Sequence, residues 1–138
     1  MKSSTAKFSR IGFDAEMTYI CRMYERKLPV RLECGLHLFM EVMSGKWKIN
    51  LIWCIYGGIN RPGALHRTLS GASRRLLDQQ LAQLVSHGIL VKTVFEEKPF
   101  KVEYALTPLG QTLIPVIEHT ARWGEANRNE LETLIRNS

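Results

Sequence analysis

The sequence predicts a mainly α-helical chain carrying one small β-hairpin, and three observations lead there. Leu76, Leu77, Leu81, Leu84 and Val85 recur at helical spacing behind Gly71-Ala72-Ser73, a turn ending in a residue whose hydroxyl can cap a helix. Gly88 then supplies the positive φ that closes helices. Next, 90–95 and 101–106 read as two strands joined by Glu96-Glu97-Lys98-Pro99-Phe100. The helix carries Arg75, Gln79, Ala82, Gln83 and Ser86 opposite its apolar side, with Arg74 at its start. A helix with an Arg/Gln front followed by a Lys-bearing hairpin is the pattern of a winged helix-turn-helix.

Taken in order, residues 1–12 are polar and 13–27 form an amphipathic helix, with Met17, Ile20, Cys21 and Tyr24 on one face and Arg22 and Arg26 away from it. Leu28-Pro29 ends it, because proline disfavours helical geometry in the residue before it. A second helix spans 35–44 with Leu36, Phe39, Met40 and Met43 inward, and Gly45 breaks it. The third, 46–56, is so apolar that it is expected to be the central buried helix, closed by Gly57-Gly58. A short helix over 61–69, with Leu65 and Leu69 inward, makes the first arm of the helix-turn-helix. Thr107-Pro108 starts a terminal helix running to about 135, with a bend or break expected at Pro115 or Gly124. The organisation is therefore an N-terminal arm and helix (1–33) followed by a winged-helix domain ending in a dimerisation helix (34–138).

Composition narrows the function. With 138 residues, a net charge of +6 and a pI of about 9.5, the chain suits a polyanionic partner. No apolar run approaches the ~20 residues of a membrane span, and the N-terminus has no apolar secretory core. Three cysteines without a disulfide framework fit the cytoplasm. Cys34-x-x-His37 is half a zinc motif, but Cys21, Cys54, His66, His87 and His119 are scattered, so neither a metal nor a cofactor is expected. No nucleophile elbow, phosphate-cradling glycine loop or paired-carboxylate signature is present, and an enzyme is not expected.

The candidate chemistry is recognition of double-stranded DNA. Arg and Gln can contact guanine and adenine edges in the major groove, and Arg75 and Gln79 stand one turn apart. Arg61, His66, Arg67 and Arg74 are placed for phosphates, and Lys98 and Lys101 for the backbone or the adjacent minor groove. Ser73 and Gln83 complete the DNA-binding set. Leu109, Leu113, Val116, Ile117, Trp123, Leu131, Leu134 and Ile135 carry more apolar surface than one small domain can cover. A homodimer on a palindromic operator answers that excess.

Three motifs resemble the HxlR-type bacterial transcription regulators, a branch of the MarR-like winged-helix proteins. They are Cys34 with Gly45-Lys46-Trp47, the run Gly71 to Leu81, and Val102-Glu103-Tyr104-Ala105-Leu106-Thr107-Pro108-Leu109-Gly110. The resemblance covers 34 to about 128. It departs at Arg74, where proline is common, at Arg61-Pro62-Gly63-Ala64, which replaces an aromatic-glycine-acidic turn, and in a longer leader. It implies a dimeric DNA-binding regulator, and it places Cys34 where some members sense oxidants or electrophiles. Cys34 opens a helix, where the macrodipole and Arg31 favour thiolate and Glu33 opposes it. Cys54, between Trp53 and Ile55, reads as core, and Cys21 as interfacial. The expected function is thus a repressor responsive to oxidants through Cys34. The alternatives are a small-molecule-responsive MarR-like regulator, with Phe39, Trp47, Trp53 and Trp123 around a pocket, and a winged-helix protein-interaction module. The last would carry acidic or apolar residues on the helix front, which this chain does not.

Overall fold

The computed structural model describes residues 32–138, which fall in two compact units, 32–44 and 45–138. The helix expected over 13–27, with Cys21, lies outside the described residues.

The first unit contains α1 (Gly35–Met43), with Cys34 at its N-cap position in extended backbone. The Cys34 carbonyl accepts from the Leu38 N–H at 3.1 Å, and the Ser44 hydroxyl donates to the Glu41 carbonyl at the other end. The expected inward face is corrected in part: His37 and Met43 are buried, whereas Leu36 is 43% exposed. A nine-residue helix offers two overlapping stripes, 36–39–40–43 and 37–40–43, and hydropathy alone favours the wrong one.

In the second unit, α2 (Lys48–Tyr56) packs against the recognition elements that follow it. Leu51, Ile52 and Ile55 are buried, and so is Lys48. The expected central buried helix is buried on one side only: Trp53 is 43% and Tyr56 49% exposed, three residues apart on the far side with ring centroids 5.7 Å apart. One apolar face is enough to meet the neighbours on the core side.

α3 (Pro62–Thr68) starts on proline, whose missing N–H costs nothing in a first turn. It buries Leu65 completely. After the turn, the Ser73 hydroxyl accepts from the Leu76 N–H at 3.2 Å and opens α4 (Arg74–Ser86). Leu77, Leu81 and Leu84 of α4 are fully buried. Gln80 is buried beside them; its Oε1 accepts from the Trp47 N–H at 3.0 Å. Gly45, at φ +149°, leaves room for that amide, since a Cβ there would stand 3.0 Å from it.

Gly88 at φ +73° turns the chain out of α4 into β1 (Leu90–Phe95) and β2 (Lys101–Leu106), paired antiparallel from Leu90↔Leu106 to Phe95↔Lys101. The Tyr104 N–H donates to the Asn60 carbonyl at 2.9 Å, so the segment before α3 lies along the other edge of β2. Thr107 then fastens the hairpin's exit to the end of α4. Its hydroxyl donates to the Gly88 and Ile89 carbonyls (2.5 and 3.2 Å) and accepts from the Gly110 N–H (3.0 Å). A Cβ on Gly110 would stand 2.2 Å from the Ile89 carbonyl oxygen, so only glycine fits.

The terminal helix is three helices: α5 (Pro108–Gln111), α6 (Ile114–Ala126) and α7 (Arg128–Arg136). The first break, at Thr112 and Leu113, answers Pro115, which has no N–H for the Gln111 carbonyl and whose ring would press on it. The second falls at Asn127, whose side-chain amide donates to the Trp123 carbonyl at 2.8 Å. Gly124 remains inside α6. Ile114 and Ile117 face the core, while Trp123 is 63% and Ile135 69% exposed.

Candidate nucleic-acid interface

The helix α4 separates into a back and a front. Behind, Leu77, Leu81 and Leu84 are sealed in the core and Leu76 is half-buried. In front, Arg75, Gln79 and Gln83 are exposed at successive turns, forming a row along one line of the helix. A second row, Arg74, Asp78 and Ala82, turns toward α3 and the hairpin. It walls a cleft of about 580 Å³, whose other side carries Pro62, His66, Lys92 and Tyr104.

His66 is engaged within the domain. Its side chain is only 12% exposed, and Nε2 lies 2.8 Å from Asp78 Oδ1, while Nδ1 is buried without a hydrogen-bond partner. The imidazole ties α3 to α4 within the wall of that cleft. Burial and the nearby Asp78 carboxylate push the Tyr104 phenol up from its ordinary value.

Arg67 is exposed on α3 and Arg74 at the head of α4, and Ser73 is occupied as the cap. The hairpin brings Arg61, Lys98 and Lys101 together around a second cleft of about 470 Å³, with Phe100 at its rim, 71% exposed. Lys101 Nζ lies 3.0 Å from Glu103 Oε1 and 4.8 Å from the centroid of the Phe95 ring. Arg61 Nε reaches the same Glu103 oxygen at 3.8 Å. The functional set therefore gains Asp78, Lys92 and Glu103, which sequence reasoning passed over. Strand alternation was the available signal for the last two, because it puts Lys92 on the face of Tyr104 and Glu103 on the face of Lys101.

Cys34 belongs to the other unit and is half-buried; Arg31, its expected cationic neighbour, lies outside the described residues. Cys54 is half-buried too, and burial pushes its thiol pKa up, which disfavours the reactive thiolate. Among the described residues, no group of three or more His, Cys, Asp or Glu could hold a metal ion. No described helix is long and apolar enough to cross a membrane.

Residues 42–132 match the HxlR-like helix-turn-helix family. The chain belongs to that family. YybR, an HTH-type transcriptional regulator of Bacillus subtilis (strain 168), is 35% identical over 117 residues, covering 83% of this chain and 94% of YybR. Among solved structures, the redox regulator HypR in its reduced form superposes with a TM-score of 0.68 at 35% identity, covering 72% of this chain and 99% of HypR. Its oxidised form gives 0.64 at 35% identity, covering 68% and 97%. This HxlR-like chain is accordingly a winged-helix transcriptional regulator and not an enzyme.

Proposed function

We propose that this HxlR-like regulator is a cytoplasmic repressor that binds a palindromic operator in double-stranded DNA as a homodimer. The observation that carries the reading is the exposed row Arg75, Gln79 and Gln83 on a helix whose back buries Leu77, Leu81 and Leu84 completely. An α-helix fits the major groove, and these are the side chains able to pair with base edges there. Arg67 and Arg74 hold phosphates and fix the register, joined by Arg61 at the head of α3 and by Lys98 and Lys101 from the wing. In this scheme residues 34–138 are the DNA-binding and dimerising portion and 1–33 an added arm. Exposed Trp123, Leu134 and Ile135 at the C-terminal end supply the apolar surface for the second copy.

Cys34 is the proposed input. Half-burial leaves its sulfur within reach of an oxidant, and the likeness to HypR, a redox regulator captured in reduced and oxidised forms, supports this assignment. Three experiments test the whole. Light scattering should give about twice 15.8 kDa, and a footprint on DNA flanking the protein's own gene should show two protected half-sites. Diamide should then change the affinity of the parent chain and leave Cys34→Ser unaffected. A monomer that protects no DNA contradicts the reading, and a Cys34→Ser variant that still responds to diamide transfers the input to another group.

A further inference from the structure

We propose that Glu103 restrains the wing's grip on DNA by standing in for a phosphate between Arg61 and Lys101. The inference rests on the DNA-binding reading above. Register places Glu103 opposite Thr93 and Lys101 opposite Phe95, two residues apart and therefore on one face of the hairpin. There a single carboxylate oxygen is shared by both cations, 3.0 Å from Lys101 Nζ and 3.8 Å from Arg61 Nε. The Phe95 ring closes over the ammonium from another side. An oxygen held between a lysine and an arginine is what a DNA backbone would also provide, so the wing's Lys101 and the neighbouring Arg61 at the head of α3 are partly neutralised before any duplex arrives.

The consequence follows from how non-specific binding works. Its strength counts the cations delivered to phosphates and the counterions thereby released. A carboxylate that must give way, or stay and repel the phosphate, subtracts from that count for every sequence alike. It leaves discrimination to the α4 row, where Arg75 and Gln79 have no ion pair among the described residues. Glu103 is thus a specificity-setting residue: it lowers the sequence-independent background against which base contacts are read.

The test uses the full chain and a random-sequence duplex titrated over a salt series. Glu103→Gln should bind ~5-fold more tightly at low salt, and its log–log salt slope should steepen by about one unit. Glu103→Asp, which keeps the charge, should stay near the parent. Lys101→Ala should cost more affinity in the Glu103→Gln background than in the parent, because only there is the ammonium released from its internal partner. Glu97→Gln, removing a carboxylate from the same hairpin turn, should have the smaller effect. Unchanged or weaker binding by a Glu103→Gln variant that melts like the parent overturns the proposal, as does an equal gain from Glu97→Gln. A parent chain that binds no duplex at all overturns the DNA-binding reading together with it.

Discussion

The front of α4 and the hairpin both present cations, but they hold them differently. Arg75 projects from a rigid helix with no acidic partner among the described residues, whereas Arg61 and Lys101 share the carboxylate of Glu103. A free donor on a fixed helix can be aimed at one base edge. A tethered donor on a hairpin yields to whatever anion displaces its partner. In the proposed scheme the same residue types therefore serve selectivity in one region and graded, salt-sensitive attachment in the other.

The comparison depends on the two regions being fixed to one another, and Gly110 is where that can be broken most severely. Its missing side chain lets α5 approach the Ile89 carbonyl, to which Thr107 also donates. Gly110→Ala should cost ~3 kcal/mol of stability, the upper end for overpacking a closed site, read as a fall in the denaturation midpoint with an unchanged slope.

A smaller break is available at the join between α3 and α4. Asp78→Ala removes the partner of the nearly buried His66 and should cost about 1 kcal/mol. Because Asp78 is part of the cleft wall and not of the Arg75 row, its loss should leave the preferred sequence unchanged. A variant that switched preference would move Asp78 into the base-reading set.

The least perturbing test is alkaline titration. Tyr104 on β2 has its phenol pKa raised in the folded state by burial and by Asp78. Its contribution to stability is full below the unfolded value of 10.0 and is lost as pH rises through the higher folded value. Denaturation midpoints should therefore decline on the alkaline side of about 10, and Tyr104→Phe should decline less.

Much of this was legible in the sequence, for identifiable reasons. The period of 3.6 in Leu77, Leu81 and Leu84 fixes which side of α4 is free, and Gly88 and Thr107-Pro108 mark where the hairpin begins and ends. What escaped is polar burial and tertiary pairing. Gln80 is buried because a backbone N–H 33 residues earlier needs an acceptor, and no local pattern announces that. His66 and Asp78, twelve residues apart, look like two surface residues until α3 crosses α4. His37 displaced Leu36 from the inward face of α1, and Trp53 and Tyr56 face outward from a helix whose composition suggested the buried centre of the domain. The second break falls at Asn127, whose side-chain amide donates to the Trp123 carbonyl, whereas Gly124, the obvious breaker, continues the helix α6.

The central division of labour is tested most directly by measuring the sequence preference of two variants side by side on a library of operator mutants. Arg75→Ala should lose ~1–3 kcal/mol on the operator and relax the preference at one base position in each half-site. Lys101→Ala should weaken all sequences alike, flatten the salt slope by at most about one unit and leave the ranking of operators unchanged. If both variants lose affinity with the ranking intact, α4 does not read bases through Arg75 and the account is contradicted.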